Sequence, residues 1–269
     1  MKRLLIAGCG DIGIRLAGIL DRDAWRVSGL RRNTSALPDS IEPLCADLLD
    51  PDSLATVDTD WDGVIYQATP GQRDPEAYHR AYVQGLENLL ARISTSRLIF
   101  VSSTAVYGQD DGSEVNEYST TAPAAFNGRI LLEAEKCALD AGGLAVRFSG
   151  IYGPGREYLI NQVRGGKARC REHPPQWTNR IHADDCAGVL AHLLDLDTPD
   201  PIYCASDNLP VSRCDVMDWL ADRLGVVRPE RENNPSPAQG KRVLNQRLRA
   251  SGYDFHYPDF RAGYGALLT

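Results

Sequence analysis

Leu4-Leu5-Ile6-Ala7-Gly8-Cys9-Gly10-Asp11-Ile12-Gly13 is the stretch on which the reading of this chain turns. Four apolar residues run into a Gly-x-Gly-x-x-Gly turn, and an amphipathic segment follows at once, so the turn joins a strand to a helix. In that setting each glycine has a physical task. Gly8 makes the tight turn, Gly10 lets the backbone approach a pyrophosphate, and Gly13 lets the helix pack close to its strand. The first amides of the helix, at Asp11, Ile12 and Gly13, then face the anion. Outward from the turn, short apolar runs alternate with helical ones. Residues 3–7, 25–30, 42–45, 62–66, 97–101 and 143–148 read as strands, and 11–22, 74–93 and 126–141 as helices. Leu86, Leu89, Leu90 and Ile93 show the helical spacing. The alternation predicts an α/β fold with a parallel sheet covered on both faces.

After residue 151 the pattern loosens. Residues 153–180 carry Gly and Pro breaks suited to loops and one short helix. A helix at 183–195 and a strand at 201–204 return to the sheet, 212–225 reads as a further helix, and 228–240 as a polar, Pro-rich loop. The expected architecture is a Rossmann-type doubly wound parallel sheet with a small C-terminal substrate lobe. Residues 1–151 and 180–205 would form the dinucleotide-binding domain, and 152–179 and 206–269 the lobe.

Composition narrows the function classes. The 269 residues are 43% hydrophobic and 24% charged, with a net charge of −7. That suits one sizeable core plus an appendage and argues against nucleic acid or an anionic membrane as the main partner. No window approaches the roughly 18 uninterrupted apolar residues of a membrane span. The first residues show no apolar secretory core, so a cytoplasmic location is expected. Seven scattered cysteines without Cys-x-x-Cys spacing read as free thiols in a reducing cytosol, and five histidines share no ligand spacing with them. No metal is expected.

The end of the second strand bears on cofactor choice. Val27-Ser28-Gly29-Leu30-Arg31-Arg32-Asn33 holds two arginines and no acid. A carboxylate there would bond ribose hydroxyls and repel a 2′-phosphate, whereas a guanidinium binds that phosphate. Either Arg31 and Arg32 select NADP, with NAD as the alternative, or they form a solvated basic loop.

Three further segments carry a family resemblance: Cys45-Ala46-Asp47-Leu48, Val101-Ser102-Ser103-Thr104-Ala105-Val106-Tyr107-Gly108, and Arg147-Phe148-Ser149-Gly150-Ile151-Tyr152-Gly153-Pro154-Gly155. With the glycine turn, they resemble the extended short-chain dehydrogenase/reductases, the NAD-dependent epimerase/dehydratase family. The resemblance implies that Asp47 and Leu48 cradle an adenine, although Asp47 also suits a cap for a helix starting near Pro51. It implies that Ala68 and Thr69 let the cofactor pass. It puts the substrate-polarising hydroxyl at Ser103, with Ser102 and Thr104 as near alternatives, and Ser102 also beside the cofactor. These hydroxyls equally suit backbone groups at a strand end. His182, in Arg180-Ile181-His182-Ala183-Asp184-Asp185, matches a loop that lies near the substrate cleft or anchors a turn.

One family feature is missing. Family enzymes move protons with a Tyr and a Lys four residues later, and Gly128-Arg129 and Glu135 set the register in which those slots read Asn127 and Leu131. The four lysines are Lys2, Lys136, Lys167 and Lys241, and none has a tyrosine four residues before it. Neither Asn127 nor Leu131 titrates, so proton transfer through this pair is closed. Tyr107 reads as structural.

Two functions follow. One is an NADP-preferring family member acting on a small polar or nucleotide-linked substrate by altered chemistry. The other is a non-catalytic NADP(H) sensor. Arg156, Arg164, Arg169, Arg171 and Arg180 suit anion recognition or solvated loops about equally. Family dimers pack helices near 74–93 and 126–141, which leaves a homodimer open.

Overall fold

The computed structural model describes residues 1–232 and 239–268. Seven strands share one sheet: β1 Lys2–Ala7, β2 Trp25–Arg31, β3 Glu42–Cys45, β4 Gly63–Tyr66, β5 Leu98–Ser103, β6 Leu144–Phe148 and β7 Ile202–Ala205. Their order is β7-β6-β5-β4-β1-β2-β3. β1 pairs in parallel with both β2 and β4, so the winding direction changes beside β1. A doubly wound sheet opens its ligand crevice at that switch point, outside the carboxyl ends of the strands. Leu4, Leu5, Ile6 and Ala7 are fully buried, which is why β1 reads as an unbroken apolar run.

The helices of this half are α1 Asp11–Ile19, α2 Pro51–Leu54, α3 Pro75–His79, α4 Gly85–Arg92 and α5 Phe126–Asp140. α1 stops short of the expected residue 22 because Leu20 turns extended, with φ −68° and ψ 141°. Residues 74–93, expected as one regular helix, contain a π-helical turn at Arg80–Gln84. Among the described residues no helix is long and apolar enough to cross a membrane.

The chain forms two compact units. The first comprises Met1–Val106, Pro123–Arg147 and Ala187–Tyr203, and the second Tyr107–Ala122, Phe148–Cys186 and Cys204–Thr269. The second has its own core, in which Ile160, Val163, Val216, Met217, Leu220 and Phe260 are buried. Its helix Arg213–Leu224 starts under the Ser212 hydroxyl, which accepts from the Asp215 amide, and ends at Gly225 with φ 65°. Both ends match the chemistry of helix caps. The tail forms helices Gln246–Ala250 and Phe260–Leu267. Of the expected loop at 228–240, Glu230–Arg231 pairs with Arg169–Cys170, and residues 233–238 lie outside the described residues.

The reading of all seven cysteines as free thiols is corrected here. Cys170 and Cys214 form a disulfide across 44 residues of sequence. Spacing rules see pairs close in sequence, whereas this pair meets because a short strand and the first turn of a helix pack together in the second core. The thiol argument for a reducing compartment falls with it.

Candidate functional site

The carboxyl ends of β1, β2 and β4 open on a cavity of about 650 Å³. Gly8, Gly10, Arg31 and Arg32 line one part of it, and Asp47, Leu48, Ala68 and Thr69 another. Eight of the expected cofactor residues therefore meet in one groove.

The glycines account for its shape. Gly8 has φ +77°, and a Cβ there would lie 2.5 Å from the Ala68 Cα, so only glycine lets β1 and β4 end side by side. A Cβ on Gly13 would lie 2.4 Å from the Gln67 Nε2, which sets how closely α1 packs. A Cβ on Gly10 meets nothing nearer than the Gly8 carbonyl at 3.9 Å. Gly10 is thus spared for the groove, not for packing. Asp11 and Ile12 begin α1, where the Asp11 carboxylate accepts from Arg15 Nε at 3.0 Å and the Ile12 side chain is buried. Arg31 Nη1 donates to the Cys9 carbonyl at 3.2 Å and ties the end of β2 to the glycine turn. Burial pushes the Cys9 thiol up to about 11, against the pull of Arg31, so it stays protonated.

Asp47 does not cap the next helix. Asp50 does, accepting from the Asp52 amide at 3.1 Å. The Asp47 carboxylate instead accepts from the Leu49 amide at 3.0 Å, and its own amide donates to Ser53 Oγ at 2.9 Å. These bonds stiffen the wall that carries Asp47 and Leu48.

At the end of β5, Ser103 Oγ accepts from the Ala105 amide at 3.2 Å and opens the turn Thr104–Val106. α5 lies tight on that turn, since a Cβ on Gly128 would come within 2.4 Å of the Ala105 carbonyl. The helix presents Asn127 half-buried and Leu131 buried, and neither side chain titrates.

Ser102, expected beside the cofactor, turns its side chain into the core. Neighbours on a strand face opposite sides of the sheet, and Ser102 is buried with its hydroxyl donating to Glu135 at 2.5 Å. Glu135 also takes Arg147 Nε at 2.9 Å and Nη2 at 2.7 Å. This buried trio went unread in the sequence. Its signal was an arginine inside the apolar strand Leu144–Phe148 and a glutamate on the inner face of α5. Arg80, in the π-turn, also lines the groove and was likewise missed.

In the second unit, Tyr107 is structural: its hydroxyl donates to the Asn116 carbonyl at 2.8 Å. His182 Nδ1 accepts from the Asp184 amide at 3.2 Å. The Asp185 carboxylate accepts from the Tyr253 hydroxyl and the His256 and Tyr257 amides at 2.8–2.9 Å, which anchors the tail. The arginines of this stretch hold local partners rather than converging. Arg171 donates to the Pro174 carbonyl, Arg164 to Asn161 and Arg180 to Thr178, while Arg169 pairs with Glu230.

Comparison with known proteins agrees with this geometry. Residues 4–201 match the NAD dependent epimerase/dehydratase family. A structure assigned as an NAD-dependent epimerase/dehydratase from Methylobacillus flagellatus superposes with a TM-score of 0.85 at 36% identity, covering 99% of this chain and 97% of that one. Protein YeeZ of Escherichia coli K12 is 29% identical over 96% of this chain and 97% of its own length. A 3-diazoavenalumate denitrifying reductase from a Streptomyces species is 27% identical over 84% of this chain and 83% of its own. A family match over residues 4–201 and a structural relative at 36% identity over nearly the whole length lead to one assignment: the chain belongs to the NAD-dependent epimerase/dehydratase family.

Proposed function

We propose that the groove binds a nicotinamide dinucleotide, NADP(H) in preference to NAD(H), and that the protein acts on a small polar or nucleotide-linked substrate without a tyrosine–lysine pair. The observation that carries this reading is the end of β2, where Arg31 and Arg32 line the groove and no carboxylate stands among residues 27–33. The groove suits the cofactor in shape as well. It has ligand-pocket volume, and any side chain at Gly10 would fill the space a pyrophosphate needs.

The bound cofactor would supply hydride chemistry. The amides of Asp11, Ile12 and Gly13 would hold the pyrophosphate, Arg31 and Arg32 the 2′-phosphate, and Asp47 and Leu48 the adenine. Ala68 and Thr69 leave room for the chain of the cofactor. Ser103 Oγ already accepts a backbone hydrogen bond, so its own proton is left to polarise a substrate oxygen. The Streptomyces relative is named a reductase, which supports reductive chemistry here. Asn127 and Leu131 favour a second reading, a sensor that binds NADP(H) without turnover.

Calorimetric titration of both cofactors tests the first reading. Charged hydrogen bonds contribute about 1.5–3 kcal/mol, so NADPH should bind roughly tenfold to a hundredfold more tightly, and Arg31→Ala with Arg32→Ala should erase the gap. Equal affinities, or tighter NADH, would overturn it. Turnover separates the readings. A lost proton donor costs roughly 10²- to 10⁴-fold, so the native chain should barely reduce a ketone panel, while Asn127→Tyr with Leu131→Lys should gain activity.

A further inference from the structure

The π-turn beneath the groove has an identifiable cause. The Gly85 amide donates five residues back to the Arg80 carbonyl, leaving the Ala81 carbonyl without its regular helical donor. The hydroxyl of Tyr66, a fully buried residue at the end of β4, donates to Ala81 at 2.5 Å instead. A Cβ on Gly85 would lie 2.5 Å from that hydroxyl, so glycine at this position makes space for the insertion. Burial holds the Tyr66 phenol well above its ordinary range, and it remains a donor. Single π-turns of this kind concentrate at functional sites because they re-aim the side chains of one helical turn.

Here the re-aimed turn carries Arg80 and Ala81, which line the groove together with Ala77. The Arg80 guanidinium has no hydrogen-bond or ion-pair partner among the described residues, and its charge is not needed to hold the fold. Its surroundings differ from those of Arg31 and Arg32. Those two leave β2 on one side of β1, whereas Arg80 follows β4 on the other. The Leu48 loop is fastened to the Arg80 helix, since Asn88 Nδ2 donates to the Leu48 carbonyl at 2.9 Å. Arg80 lines the same groove as Asp47 and Leu48, flanked there by the small side chains of Ala77 and Ala81.

We propose that Arg80 is an adenine clamp, its guanidinium stacked on the base, and that the Tyr66–Ala81 hydrogen bond is the positioning device that aims it. A planar guanidinium lies flat on an aromatic face, and stacking on a base is blind to what the ribose carries. The clamp therefore serves NADPH and NADH alike, unlike the arginines of β2. The proposal rests on the dinucleotide reading of the groove.

Calorimetry on the full chain tests it with NADPH, NADH and 5′-AMP. Arg80→Ala should weaken all three by a similar factor, roughly tenfold, and Arg80→Lys should recover little because an ammonium is not planar. Arg80 is exposed, so these variants should fold as the parent does. Tyr66→Phe should reproduce most of the loss and add little on top of Arg80→Ala. An unchanged affinity in Arg80→Ala overturns the clamp, as does a loss confined to NADPH, which would make Arg80 a phosphate ligand. Full additivity with Tyr66→Phe overturns the positioning role. A native chain that binds neither dinucleotide overturns the cofactor reading and the clamp together, whereas binding with a silent Arg80→Ala overturns the clamp alone.

Discussion

Each unit buries an arginine and a carboxylate, and the two arrangements come out differently. In the first, Glu135 and Arg147 are 2% and 3% exposed, and the carboxylate is filled by two guanidinium bonds and the Ser102 hydroxyl. In the second, Arg180 and Asp207 are 5% and 1% exposed, yet Arg180 Nη1, Asp207 Oδ2 and the nearby Tyr152 hydroxyl are buried without a hydrogen-bond partner among the described residues. Burial pushes the Asp207 carboxyl up to about 7, with Arg180 pulling the other way. A carboxylate with its bonds filled acts as a frame, because removing either charge strands the other. One with an unfilled oxygen is costly to ionise, so its proton becomes part of the stability of the unit.

The contrast breaks first, and most visibly, at Glu135. Glu135→Ala leaves Arg147 charged and buried, and the expected loss is about 3–5 kcal/mol, read as a drop in the urea midpoint. A loss below about 1 kcal/mol would mean that the trio frames nothing.

Asp207 sharpens it through pH. Its folded value lies above that of an ordinary aspartate, so the protonated form is the one that folding favours. Stability linked to Asp207 is fully present below about pH 4 and is lost as pH rises towards 7. The loss should reach about 4 kcal/mol, and Asp207→Asn should cancel it and leave a flatter profile. Parallel urea midpoints for the two proteins between pH 4 and 8 would show Asp207 to be paired after all.

The smallest effects compare single hydroxyls. Ser102→Ala removes a donor from Glu135 and should cost about 1 kcal/mol, whereas Tyr152→Phe deletes a hydroxyl without a described partner and should stay within about 0.5 kcal/mol of zero. Equal costs in melting experiments would place a hidden partner on Tyr152 and erase the contrast.

The groove was legible because its determinants are local. A glycine turn between strand and helix, arginines at a strand end and small residues at the next strand end each follow from a few adjacent residues. The helix that carries Asn127 and Leu131 was legible for the same reason, through its own apolar spacing. The hydroxyls of Ser102 and Ser103 look alike in a string, and only the pleat sends one to Glu135 and leaves the other at the turn.

By itself the sequence determined the parallel α/β sheet, the position of its crevice and the lack of a titrating pair at residues 127 and 131. Periodicity, backbone freedom and side-chain chemistry are properties of neighbouring residues. Tertiary structure alone decided the Cys170–Cys214 bridge, the Glu135–Arg147 frame, the unfilled oxygen of Asp207 and the π-turn that brings Arg80 to the groove. Each of these depends on which atoms meet between different elements, or on a hydroxyl from a strand reaching a helix carbonyl, and packing, not local pattern, sets those meetings.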